Sequence, residues 1–313
     1  MDISNNLELH YYFSDKSHVI DSLVRNKCEA ELLAIVYEVA ASLGVDTKVI
    51  TEASREGGFK EVWKLIEGNS SAIMVVLQVV LILVTTIPLL VDSEKEELEK
   101  ELIKLQIEES KHNLKEVQKS IKNQENIEEN VSKATEQLKK NLKIIKRKSN
   151  FYSTLSSYPK VTKVGVVTLN DNFMPTSDEL LVDRKNFRNF ILSTNKLRAE
   201  EVETEIEIIS PVLKEGKYKW KGIYNNEPIT FDMLDSTFKE SVLIDDIPFK
   251  HGTSIVCVLR INRELDEVGD IKIKGYSVTT VIDKIDGVSV QETPQGKKYR
   301  YAKKQMENQG DLF

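Results

Sequence analysis

The sequence predicts an α+β chain in four successive parts, and three observations carry that prediction. Residues 71–91, SAIMVVLQVVLILVTTIPLLV, contain no charged side chain, in a chain with 30% charged residues. Residues 92–148 contain neither proline nor glycine. From Val161 onward, apolar and polar residues alternate with the two-residue rhythm of strands. The expected organisation is a helical region over 1–70, an apolar helix over 71–91, a charged helical stalk over 92–150 and a β-rich domain over 151–313.

The N-terminal region reads as helix over 14–44, where Ile20, Leu23, Val24, Cys28, Leu32, Leu33, Val36, Val39 and Ala40 recur at three- and four-residue steps and Gly44 stops the run. VDTKVI suits a short strand, and FKEVWKLI an amphipathic turn or two that leads into the apolar segment. The opening MDISNNLELHYYFSDK has no basic stretch followed by an apolar one, so no cleaved signal peptide is expected.

Ala72 to Val91 is 20 residues, about 30 Å as a helix and the thickness of a bilayer's hydrocarbon core. A membrane-spanning or membrane-inserting helix is the expectation; the alternative is the buried spine of a soluble assembly. Ser71, Gln78, Thr85 and Asp92 fall seven residues apart, nearly two helical turns, so they share one slowly drifting polar stripe. That stripe either packs against a neighbouring helix or lines a water path around a shared axis. Each chain offers one such segment, so either use requires a homo-oligomer.

In the stalk, Leu98, Leu102 and Leu105 open a coiled-coil-like seam that resumes at Leu114, Val117 and Ile121 and ends with Val131, Ala134, Leu138, Leu142 and Ile145. Asn123 and Asn126 leave room for a turn, so one long rod and a hairpin both fit. The stalk ends in KKNLKIIKRK, six cations without an acid. This run is a solvated face or a surface for phosphates of lipid or nucleic acid.

The C-terminal part supplies VTKVGVVTL, EIEIISPVL, KYKWKGIY, EPITFDM, SIVCVLRI and DIKIKGYSVTTVI as strands, with Asn225-Asn226 as a hairpin turn. Strand alternation places Lys217, Lys219 and Lys221 on one face, with Tyr218 and Trp220 on the other. Lys272 and Lys274 repeat the device. The lysines are either a solvated outer face or a receptor for a phosphate-bearing ligand, with Trp220 among the candidates for ligand contact.

Net charge is −6, from 44 Lys+Arg against 50 Asp+Glu, so overall basicity does not advertise nucleic acid. Cys28 and Cys257 offer no disulfide framework and no zinc spacing. No Gly-rich phosphate loop, GxSxG or HExxH is present, and His10, His18, His112 and His251 lack ligand spacing. A hydrolase would have to draw on scattered Asp232, Asp235 or Asp283. The expectation is therefore a protein without catalytic residues, metal or cofactor.

Two resemblances bear on function. The C-terminal Gln309-Gly310-Asp311-Leu312-Phe313 resembles the glutamine…leucine-phenylalanine peptide by which bacterial proteins dock on the replication sliding clamp. Gly310 stands where that peptide often has leucine. Second, the order of helical cap, apolar segment, charged stalk and β-rich domain resembles membrane effectors of bacterial anti-phage defence systems, of the CBASS-like and Hailong types. That resemblance implies a channel-forming or membrane-disrupting homo-oligomer in the bacterial inner membrane, with its soluble domain in the cytoplasm. It also implies control by a nucleotide or oligonucleotide signal, made by a partner synthase and read by the Lys-bearing sheet. It is one of architecture, and carries over no functional residue. The alternative is a soluble, nucleic-acid-associated oligomer tethered to the clamp by its tail.

Overall fold

Ten residues that carried no strand expectation open the fold as a strand. In β1 (Ser4–Phe13), Leu7, Leu9 and Tyr11 face the core while Glu8, His10 and Tyr12 face the other way. The computed structural model describes residues 4–15, 19–52, 59–89, 109–122, 126–244 and 247–310. Helix α1 (Ser22–Ser42) starts where the Asp21 carboxylate accepts the Leu23 and Val24 N–H groups, and it stops before Gly44 at φ +65°. Strands β2 (Lys48–Glu52) and β3 (Phe59–Ile66) follow.

The expected helical N-terminal region is thus corrected to three strands and one helix. FKEVWKLI was expected to be an amphipathic turn or two leading into the apolar segment. It is strand β3 because both faces are covered. Trp63 and Leu65 look into the core, and Val62 joins Val167, Leu169 and Phe173 in a small cluster of its own.

The apolar segment is helix α2 (Ser70–Thr85), sixteen residues of which twelve are buried. That is about 24 Å of helix, and no helix among the described residues is long and apolar enough to cross a membrane. The membrane-helix expectation is overturned in favour of a buried spine, and one chain suffices to bury it. The helix rests on β1, β4 (Val161–Asn170) and β5 (Leu180–Asp183), and is flanked by α1, α3 (Glu109–Lys122) and α4 (Ile127–Leu138). Each fully buried Val, Leu or Ile contributes about 1.5–3 kcal/mol, which explains an all-round apolar helix without lipid.

Leu98, Leu102 and Leu105 lie outside the described residues, and the described part of the stalk is a set of separate helices. Asn126, at φ +43°, precedes α4, which packs against α3 as the hairpin alternative requires. Asn141 then caps α5 (Leu142–Ser156) by accepting the Lys143 and Ile144 N–H groups. Strands β4 and β5 complete an antiparallel sheet of order β2-β3-β1-β4-β5, and a 3₁₀ segment (Arg184–Phe190) follows β5. This unit comprises Met1–Asn195 together with Leu265–Asp270.

The second unit comprises Lys196–Glu264 and Ile271–Phe313. It contains β6 (Glu200–Ser210), β7 (Trp220–Tyr224), β8 (Glu227–Met233), α6 (Ser236–Ile244), β9 (Thr253–Leu265), β10 (Ile271–Asp286), β11 (Ser289–Glu292) and α7 (Pro294–Gly310). Its sheet order is β11-β10-β8-β7-β6-β9, and β9 also pairs with β10, which closes five strands into a barrel. Only β8–β10 among the barrel pairs with a defined register is parallel.

Candidate functional site

Counting the barrel strands from one to five, the order around the barrel is 1-2-3-5-4, with strands 3 and 5 parallel and a helix between strands 3 and 4. That is the connectivity of an OB-fold, whose strand 2–3 face and adjoining loops are suited to oligonucleotides and oligosaccharides. The sequence builds it by alternation. Along β6, Glu201, Glu203, Glu205 and Glu207 point outward while Ile206 and Ile208 enter the barrel. Gly222 of β7 is required by close approach: a Cβ there would stand 2.5 Å from Ile206 Cγ2 and 2.7 Å from the Glu207 carbonyl oxygen. Asn225 and Asn226, at φ +51° and +64°, form the tight turn between β7 and β8.

Trp220 is 1% exposed and fills the barrel against the rings of Phe231, Phe238 and Phe249, 5.6–6.3 Å away. It is a core residue and cannot meet a ligand from outside. Tyr218, expected on the same strand face as Trp220, is 55% exposed instead. The reason is that β7 begins at Trp220, so Lys217, Tyr218 and Lys219 belong to the connection from β6 and escape strand alternation. Lys221 does sit on the outward face, opposite Thr230. Lys219 Nζ lies 3.3 Å from Asp232 Oδ2. The outward face of β7–β8 thus carries Lys221 with partly exposed Ile223 and exposed Pro228, and the connection before β7 carries exposed Lys217, Tyr218 and Lys219.

Lys272 and Lys274 are exposed on the first half of β10, where Lys274 Nζ pairs with Glu264 at 2.6 Å. The β9–β10 connection, which can flank the ligand face in this topology, belongs to the N-terminal unit here: Lys143 pairs with Asp270 at 3.4 Å and the Glu267 carbonyl accepts Asn150 Nδ2 at 3.0 Å.

The polar stripe of α2 is not a continuous surface. The Ser71 N–H donates to the Asn69 cap, Gln78 is half-buried, and buried Thr85 returns its hydroxyl to the Leu81 carbonyl at 2.6 Å. Asp92 lies outside the described residues, as do His18, Leu312 and Phe313; Gln309 is in the last turn of α7. The three aspartates considered for hydrolysis are tied into the fold. Asp232 faces Lys219, Asp235 caps α6 at Phe238 and accepts the Val281 N–H, and Asp283 binds Arg300. Burial pushes the Cys28 and Cys257 thiols up to about 12, which removes them as nucleophiles at neutral pH.

Two polar clusters of the N-terminal unit were missed by sequence spacing. His10 Nδ1 lies 3.4 Å from Glu179 Oε1, and the same carboxylate accepts the Tyr12 hydroxyl at 2.9 Å. Burial and the neighbouring Lys60 hold His10 below the ordinary imidazole range despite Glu179. Glu179 lies where a Cβ on Gly165 would stand, so the cluster depends on that glycine. In the core, Lys148 Nζ donates to the Leu83 and Ile87 carbonyls at 3.1 and 2.7 Å, and Tyr152 donates to the Val84 carbonyl at 3.0 Å. Burial pushes Lys148 down to about 7. The end of the apolar helix is thereby satisfied from another helix.

The chain matches no family model, no curated protein and no solved structure.

Proposed function

We propose that the C-terminal barrel binds single-stranded oligonucleotide or nucleotide through the outward face of β7–β8 and the loop that precedes β7. The observation that carries this reading is the OB-type strand order with Lys217, Tyr218, Lys219 and Lys221 exposed around its second strand. Lysines there would neutralise phosphates, and Tyr218 offers a ring to a base. Fold alone does not specify function; the reading depends on these four side chains. Of the plan implied by the defence-effector resemblance, it keeps the signal-reading step and makes no use of a membrane.

The test is fluorescence anisotropy of the full-length protein with a labelled short oligothymidylate across a salt series. Binding should weaken as salt rises, and Lys217→Glu with Lys221→Glu should reduce affinity at least tenfold. Tyr218→Ala should cost about 1–3 kcal/mol of binding, as one stacked base is worth. Both variants should keep the parent's unfolding transition, because all three side chains are exposed. Binding that is unaffected by charge reversal in a folded protein would overturn the reading.

A further inference from the structure

We infer that the outward face of α7 is a second nucleic-acid contact that engages the phosphate backbone, so that the ligand is a polynucleotide strand and not a mononucleotide. Residues 294–306 contain five cations, Lys297, Lys298, Arg300, Lys303 and Lys304, and no acid, in a chain of net charge −6. The structure divides these five into two sets.

The inner set fastens the helix to the barrel. Gly296 permits close approach, since a Cβ would stand 2.2 Å from the Ile282 carbonyl oxygen. The Arg300 guanidinium binds Asp283 and Glu292, and Lys303 Nζ meets Glu203 Oε2 at 2.8 Å. Asp283 and Glu203 belong to the barrel strands β10 and β6, and Glu292 to β11, which pairs with β10.

The outer set is left to solvent. Lys297, Tyr301 and Lys304 follow at steps of four and three residues, so they form one stripe, with Lys298 beside it. All four are exposed, Tyr301 by 69%. From Lys297 to Lys304 the stripe runs about 10 Å, roughly three phosphate spacings along one DNA strand. Lysines flanking a ring match a phosphate chain whose bases can stack. An anionic membrane surface would call for a continuous apolar face on the helix. Among the described residues of the helix the exposed large apolar side chains are Tyr301 and Met306, without a stripe between them.

The inference shares its ligand class with the proposed β7–β8 site but uses a different part of the barrel, so the two can fail separately. Full-length protein is titrated with labelled oligothymidylates of about five and about thirty nucleotides; one OB-fold covers about 4–16 nucleotides. Lys297→Gln, Lys298→Gln and Lys304→Gln together should weaken binding of the long strand at least tenfold at low salt. They should also reduce its log–log salt slope by about 2, at about 0.7 per phosphate contact for three contacts. Affinity for the short strand should not change. Equal long-strand affinity and slope in parent and variant would overturn the inference. So would loss of binding to anionic phospholipid vesicles with oligonucleotide binding intact, because the partner would then be lipid. Long-strand binding that depends on α7 without any short-strand binding would sink the β7–β8 site and leave this one standing. Absence of binding to either length overturns both.

Discussion

Two basic runs of similar composition, KKNLKIIKRK at 139–148 and KKYRYAKK at 297–304, are used in opposite ways. The first is absorbed by the fold. Lys139 pairs with Glu136, Lys143 with Asp270 and Arg147 with Glu31, while Lys146 Nζ donates to Asn195 and Lys148 is buried on the α2 carbonyls. The second turns Lys297, Lys298 and Lys304 outward. What separates them is the residues between the charges. Ile144 and Ile145 of the first run are buried, so the helix that carries them is drawn into the core, and its lysine stems go with it. The second run interleaves its cations with two tyrosines and an alanine, and makes contact along one side only. A run of positive charge therefore reads as a surface only where no aliphatic stripe accompanies it.

The comparison can be broken first at Lys148. Lys148→Ala should destabilise the N-terminal unit by about 3 kcal/mol, from lost packing of the stem and two orphaned carbonyls; Lys148→Met should recover the packing share. Urea unfolding monitored by circular dichroism measures both. The same residue gives a pH signature. Its folded pKa of about 7 lies below the unfolded value of about 10.4. Between these values the unfolded chain holds a proton that the folded one lacks. Stability should therefore rise from pH 7 to 10 by up to about 1.4 kcal/mol per unit. The penalty for burying the ammonium should be fully present below pH 7. The slope should be absent from the curve of the methionine variant and appear in full in the difference between parent and variant.

A smaller effect is expected at Arg147, whose partner Glu31 is mostly buried. Arg147→Ala should cost about 1–2 kcal/mol, between the values for exposed and buried pairs. Smaller still, Lys303→Ala on the anchored side of α7 removes a half-exposed pair and should cost about 0.2–1 kcal/mol. Lys298→Ala on the outward side should change stability by no more than about 0.5 kcal/mol. If Lys298→Ala destabilised as much as Arg147→Ala, the outward lysines would be structural and the contrast between the runs would disappear.

The barrel was legible where alternation was strict. EIEII, the Asn-Asn turn and EPITF mark β6, the hairpin and β8 from sequence, but closure through the β9–β10 pairing leaves no local signal. The face over β7–β8 was half legible. Lys221 falls where alternation puts it, whereas Tyr218 does not, because a strand start is set by pairing with its neighbours and not by its own residues. β1 does alternate, with Leu7, Leu9 and Tyr11 against Glu8, His10 and Tyr12, so its sequence carries the strand signal. The apolar helix misled for a physical reason. A helix covered on all sides by protein and one covered by lipid present the same composition, and only length separates them. Here Thr85 and Thr86 bond back to their own helix, and the 3₁₀ segment's Asn189 accepts the Leu89 N–H, which ends the run short of a span.

Leu265–Asp270, the last residue of β9 and the bend that leads to β10, belong to the unit whose other residues end at Asn195. Gly269, at φ +90°, lies so close to α5 that a Cβ would stand 2.6 Å from Lys143 Cα. The consequence concerns biosynthesis. Domains form in order as the chain leaves the ribosome, yet this first unit lacks its final piece until about seventy further residues have been translated, most of a second domain among them. A nascent chain halted between the two would carry the whole β2-β3-β1-β4-β5 sheet but not the segment that lies against Lys143.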